Sequence, residues 1–182
     1  MPNLKSALSA YIPSDANERA FKTAMLALLA DEPRAFWRDV FQPGHFTGSA
    51  LVTNPGRTRV LLMRHGTLRR WMQFGGHADG EDDLAKVALR EASEESGFPA
   101  SAFTLQHGVL DLDIHPIPAN PRKAEPAHSH FDVRYLLELD DTLPLPPSPE
   151  GLTLRWLRLD EAAMLAGGER AVVRMLEKLE KP

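Results

Sequence analysis

Residues 84–97 read LAKVALREASEESG, and this stretch limits the possible folds more than any other in the chain. Leu84, Val87, Ala88 and Ala92 recur at helical spacing, and Gly97 stands where a helix is normally terminated. With Leu84 at zero on a helical wheel, Val87 falls at about 300° and Ala88 at about 40°, which defines the core-facing stripe. Glu91 then falls at about 340°, Glu95 at about 20° and Glu94 at about 280°. Two carboxylates therefore lie within the apolar stripe and a third on its edge. Like charges one turn apart repel, and acids near a helix C-terminus oppose the macrodipole. A helix that accepts both penalties is expected to hold a cation, and an all-oxygen donor set suits Mg²⁺ or Mn²⁺.

The surrounding pattern is helices flanking strands. Residues 1 to about 41 read as helical, with Asp15 as N-cap of a segment whose stripe is Ala20, Phe21, Ala24, Met25, Leu28 and Leu29. AFWRDVF reads as a further short helix after Pro33. HFTGSALVTN and RVLLMRH read as strands joined by the turn NPGR, and WMQF as a third strand stopped by Gly75-Gly76. FTLQHGVLDLDIH and FDVRYLLEL read as longer strands on either side of a Pro-rich connection. LTLRWLRL reads as a last strand, and the chain from Asp160 as helical with a break at Gly167-Gly168. The class is α+β, an α/β/α sandwich on a mixed sheet, with an N-terminal helical extension over 1–45 and the main domain over 46–182.

Composition bears mainly on what is excluded. There is no cysteine among 182 residues, so disulfides, thiolate metal sites and a cysteine nucleophile are absent. A net charge of -4 offers no electrostatic case for a nucleic-acid polymer or an acidic membrane as partner. The N-terminus lacks the apolar core of a signal peptide and no stretch has the length of a membrane span, so a cytoplasmic location is expected.

From Gly76 the chain runs GHADGEDDLAKVALREASEESGF. This resembles the Nudix box, G-x5-E-x7-R-E-U-x-E-E-x-G-U with U a bulky apolar residue. Gly76, Arg90, Glu91, Glu94, Glu95, Gly97 and Phe98 match in spacing, while Asp82 replaces the first glutamate and Ala92 stands at an apolar site usually filled by a larger side chain. The resemblance implies hydrolysis of the diphosphate in a nucleoside diphosphate linked to another group, with Mg²⁺ or Mn²⁺. It implies Glu91, Glu94 and Glu95 as metal-binding and catalytic carboxylates, the Gly76 carbonyl as a further ligand, and Arg90 as the residue that orients a glutamate. Asp82, with its shorter reach, is expected in an outer shell. Glu81 and Asp83 are read as helix N-terminal acids favoured by the dipole. Glu91 and Glu95 are both candidate bases, with Glu125, Glu138 and Glu150 as weaker ones outside the box.

A second polar constellation is set by period-2 alternation. It places His128, His130 and Asp132 on one strand face, and Asp111, Asp113 and His115 on another. If these strands pair, their side chains share one site, with His77 beside the box glycine. A further metal site, a substrate pocket and hydrogen-bonded strand-end histidines are the three readings; the substrate pocket of His77, Asp113, His115, His128, His130 and Asp132 is the one adopted. The role of Arg134 is left open. Trp71 and Trp156 are read as core rather than base-stacking residues, and Arg64, Arg69, Arg70, Arg122 and Lys123 mostly as solvated.

Two rival functions are weighed. An isopentenyl-diphosphate isomerase of similar size needs an active-site cysteine that this chain lacks. A non-catalytic Nudix-like ligand-binding or regulatory module is the alternative, though such modules commonly lose box glutamates retained here. The N-terminal extension offers a surface for a partner or a homodimer. HPIPANPRKAEPAHSHFDVRY is similar to a segment of a group of small bacterial Nudix proteins, and it assigns no substrate.

Overall fold

The structure is a computed structural model that describes residues 3–64, 66, 70–148, 151–167 and 170–179. Among these, the N-terminal part forms α1 (Leu4–Ala10) and α2 (Ala16–Asp31). The Asp15 side chain caps α2 by accepting from the Glu18 N–H at 2.8 Å, as its position predicts. The segment AFWRDVF is not a helix. Its backbone bonds, Ala35 to Glu32, Trp37 to Arg34 and Val40 to Trp37, span three residues each and make successive turns. The Ala35 carbonyl instead accepts from the Phe46 N–H at 2.7 Å, which straps the segment to the first strand.

That strand, β1 (Gly44–Thr53), is followed by β2 (Arg59–Arg64), β3 (Trp71–Met72) and β4 (Phe74–His77). The expectation that Gly75-Gly76 stops a strand is corrected: β4 runs through both and pairs antiparallel with β1, Gly76 against Gly48 and Gly75 against Ser49. Next come α3 (Leu84–Ser96), β5 (Thr104–Leu105), β6 (Asp111–Ile117), β7 (His128–Glu138), β8 (Thr153–Arg158), α4 (Leu159–Leu165) and α5 (Arg170–Leu179). FTLQHGVLDLDIH is two strands rather than one. A left-handed Gly108 at φ 85° turns the chain outward between β5 and β6, and both then pair with β7.

The eight strands of the described residues form one mixed sheet, with a β3-β2-β1-β7-β5 path. Its centre is the parallel pair β1 and β7, in register from Gly44↔Ser129 to Thr53↔Glu138. All other pairings are antiparallel. One face of this sheet, with Phe46, Ala50, Phe131 and Val133, packs against Leu84, Val87, Ala88 and Ala92 of α3. The other face, with Leu51, Leu62, Leu136 and Leu157, packs against Val172, Met175, Leu176 and Leu179 of α5. This is the expected three-layer sandwich. Leu4 and Leu8 of α1 and Met25 and Leu28 of α2 belong to the α3-side cluster, so the N-terminal helices share the main core. Trp71 and Trp156 are half-buried against these clusters, which fits their reading as core.

Candidate active site

Helix α3 lies unusually close to the sheet because glycine faces it from two strands. A Cβ on Gly48 would sit 2.7 Å from the Leu84 carbonyl oxygen, and one on its partner Gly76 would sit 2.4 Å from Glu91 Cδ. The Glu91 carboxylate therefore rests directly on the Gly76 backbone. Helix α3 starts on an Asp83 cap and ends at Gly97, left-handed at φ 81°.

The exposure of the three glutamates follows the wheel. Glu95 is buried at 8% and Glu91 half-buried, while the Glu94 side chain stays 54% exposed on the edge. Glu95 Oε2 accepts from the Gly75 N–H at 3.0 Å. Arg90 is a bridge rather than a clamp on one acid. Its Nη1 lies 2.7 Å from Glu91 and 3.2 Å from Glu94, and its Nη2 donates to the His77 carbonyl at 2.9 Å. Helix and strand are thus joined at three successive residues, Gly75, Gly76 and His77. Asp82 is exposed ahead of α3 and lines a cavity of about 770 Å³ with Leu4, Phe36, Leu84 and Tyr135. That cavity lies between α1 and the start of α3, at the opposite end of the helix from the glutamates.

The second constellation forms three rows across β1, β7 and β6, on the α5 side of the sheet. The register aligns His45 with His130 and His115, then Thr47 with Asp132 and Asp113, then Ser49 with Arg134 and Asp111. The pairing of the two strands is as anticipated, yet the six pocket candidates separate into two groups. Asp113 and Asp132 belong to a buried ion network. Arg134, 2% exposed, donates to Asp132 at 2.7 Å, Asp113 at 3.0 Å and Asp111 at 3.1 Å. Thr47 and Ser49 donate to the other Asp132 oxygen at 2.9 and 2.7 Å. Arg174 of α5 holds Asp111 at 2.7 Å through two nitrogens, and Lys178 reaches Asp111 and the fully buried Glu18 at 2.6 Å each. Asp113 is held low, at about 2: burial pushes it up, but the His115 hydrogen bond and the Arg134 charge outweigh that. The carboxylates of this network are engaged by protein partners. Arg134, left without a role by the sequence, is its central cation.

The histidines form the other group. Ring centroids of His45 and His77 are 5.3 Å apart, of His45 and His130 4.9 Å, of His77 and His130 5.1 Å, of His128 and His130 5.2 Å, and of His115 and His130 5.5 Å. Burial lowers His77 to about 4 and His130 to about 2, aided by the positive charge of Arg38 at His77 and by the neighbouring imidazoles at His130. His45, 1% exposed, was missed by the sequence reading; the polar alternation His45, Thr47, Ser49 in an otherwise apolar strand is the signal that marks it.

Glu138 lies at the Thr53 end of the central pair, five residues beyond Gly48 and so about 17 Å along the strand. It pairs with Arg57 at 3.6 Å and is too distant to act as the base. Glu125 lies 3.9 Å from Arg38. Glu150 and Arg69 fall outside the described residues. Arg64 ends β2, Arg122 and Lys123 occupy a short 3₁₀ turn, and all three are exposed.

Residues 45–179 match the NUDIX domain, and the chain belongs to that family. A probable DHNTP pyrophosphohydrolase of Lactococcus lactis subsp. cremoris is 33% identical over 96 residues, 52% of this chain. The match spans 54%, about half, of that protein's length. The asymmetrical bis(5'-nucleosyl)-tetraphosphatase of Mus musculus is 32% identical over 109 residues, 59% of this chain and 68% of the mouse protein. The crystal structure of the C. elegans Ap4A hydrolase shares the fold, with a TM-score of 0.54 and 18% identity over 73% of this chain and 93% of that one.

Proposed function

We propose that the protein is a Mg²⁺- or Mn²⁺-dependent hydrolase that cleaves the diphosphate of a nucleoside diphosphate linked to another moiety. The observation that carries the reading is the seating of Glu91 on Gly76, with a Cβ position only 2.4 Å from the carboxyl carbon. A backbone that must stay bare beneath a carboxylate on a half-buried helix face is unexplained by packing alone and fits an ion-binding cradle. The donor set also fits the ion, because carboxylates and a backbone carbonyl are hard oxygen ligands. Glu91, Glu94 and Glu95 would hold it, with the Gly76 carbonyl as a further ligand, while Asp82 stands at the far end of α3 and takes no part in this set. When bound, such an ion neutralises charge that develops on the diphosphate oxygens and acidifies water.

The protein's own part is preorganisation. Arg90 offsets the repulsion between Glu91 and Glu94 and ties both to the His77 carbonyl. The Gly75 N–H fixes one oxygen of Glu95, which with Glu91 is a candidate proton acceptor. Relatives named as a pyrophosphohydrolase and a tetraphosphatase support the reaction class. They also choose the first substrates for trial, dihydroneopterin triphosphate and a dinucleoside tetraphosphate.

The test incubates the full chain with these compounds and a panel of nucleoside diphosphate derivatives, with Mg²⁺ or Mn²⁺, and resolves the products by chromatography. Metal-dependent cleavage that Glu94→Gln reduces by about 100-fold or more supports the proposal. No turnover on any diphosphate with either ion rejects it.

A further inference from the structure

We propose that His45, His128 and His130 form a binding site for one Zn²⁺ ion, separate from the glutamate helix and on the other face of the sheet. Their ligand nitrogens lie within 4.8 Å of one another. Tetrahedral zinc at about 2.1 Å asks for about 3.4 Å between nitrogens, so ion binding draws three already converging rings slightly together.

The hydrogen bonds around the rings set which nitrogens are available. His45 Nδ1 lies 3.0 Å from the Val40 carbonyl and His128 Nδ1 lies 2.8 Å from the Pro126 carbonyl. A carbonyl only accepts, so each Nδ1 carries the proton and each Nε2 presents a lone pair. This is the outer-shell arrangement that orients histidine ligands in metal sites. His45 Nε2 and His130 Nε2 are buried with no hydrogen-bond partner among the described residues. Buried ring nitrogens left without partners are destabilising, and a cation satisfies both at once.

The chemistry of the donors selects the ion. Ring nitrogens that converge without a donor between them are ligands for a cation and not a site for an anion. Three neutral imidazoles suit zinc and similar first-row ions, whereas Mg²⁺ favours oxygen. A plain aromatic cluster of histidines would not require ring nitrogens of two strands to converge within 4.8 Å. The inference rests on these rings alone and stands or falls independently of the hydrolase reading.

The full chain is stripped with a chelator, then titrated with Zn²⁺ in millimolar Mg²⁺, with metal content measured by mass spectrometry. One zinc per chain is expected, retained by Glu94→Gln and weakened about 100-fold or more by His128→Gln and by His45→Gln. Zinc is also expected to raise the thermal midpoint of the wild type. Because the buried His45→Gln could fail to fold, Co²⁺ bound to the wild type is read by visible absorption as well. Intense tetrahedral bands support nitrogen ligation in a four-coordinate site, and only weak octahedral bands count against it. The proposal is overturned if no zinc binds in the presence of Mg²⁺. It is equally overturned if Glu94→Gln abolishes binding while His128→Gln preserves it, because zinc would then sit at the glutamates.

Discussion

Replacing Arg134 with methionine should be among the most damaging single substitutions in the molecule. Arg134 makes ion pairs of 2.7, 3.0 and 3.1 Å to three aspartates, with its side chain only 3% exposed. The network holds four acids, Glu18, Asp111, Asp113 and Asp132, against the three cations Arg134, Arg174 and Lys178. Methionine fills similar volume, so the loss is one of charge compensation, and it leaves four buried acids facing two cations. Removing one partner from a buried pair typically costs about 3–5 kcal/mol. For a chain of this size that corresponds to a fall in Tm of roughly 6–20 °C. Urea unfolding of Arg134→Met, Asp132→Asn and the double variant, with m values compared, measures the effect. The double variant should be less destabilised than the sum of the singles by about 1–3 kcal/mol, because Asp132 loses its need for the cation. An Arg134→Met loss below about 1 kcal/mol, or additivity within about 0.5 kcal/mol, would refute the claim that these charges depend on one another.

Acid should destabilise the fold through the same network. Burial pushes Glu18 up, but hydrogen bonds from Lys178, Ser14 and Tyr11 outweigh it and hold Glu18 well below the usual range. A depressed carboxyl stabilises above its unfolded pKa of about 4.5 and loses that contribution as pH falls, at up to about 1.4 kcal/mol per unit. Glu18→Gln should therefore show a shallower decline in urea midpoint than wild type below about pH 4.5. Gly76→Ala should displace Glu91 and lower kcat/KM for diphosphate hydrolysis by about 100-fold, an effect that steady-state assays read directly. Glu94→Gln, on an exposed edge, should change stability by no more than about 0.5 kcal/mol by urea unfolding, so that any loss of activity is chemical.

Local pattern made the carboxylate helix legible, because every determinant lies within one element. The apolar stripe and the angles of Glu91, Glu94 and Glu95 follow from a 3.6-residue period and the stop from Gly97, whereas Asp83, read as a first-turn acid, is the N-cap. The glycine strand was misread because Gly75 and Gly76 are weak strand formers taken alone. Their need appears only when Ser49 and Glu91 occupy the space a Cβ would fill. AFWRDVF failed for the converse reason: its residues permit a helix, but the Ala35 carbonyl is needed by β1. The ion network was invisible in part because its cations Arg174 and Lys178 come from α5, more than sixty residues from Asp111 in sequence. Alternation brought His128, His130, Asp132 and Arg134 to one face, yet it could not say which of them would meet cations and which would meet one another.

The β1–β7–β6 register answers that question and explains why the two groups sit side by side. Successive rows on one strand face are about 6.6 Å apart, so the imidazole row and the aspartate row are neighbours. Asp113 belongs to both, because its Oδ2 lies 3.0 Å from Arg134 Nη2 and 3.0 Å from His115 Nδ1. The ion network carries one more acid than cation, and the imidazole row contains buried ring nitrogens with no hydrogen-bond partner among the described residues. A dication among the histidines would meet uncharged ligands directly and a net negative charge one row behind them. Sliding β7 by one residue would turn every one of these side chains toward α3, into the space now filled by Phe131 and Val133. The apolar half of the strand thus fixes the register that holds the polar half together. The acid-rich row and the imidazole row are two consequences of a single alignment.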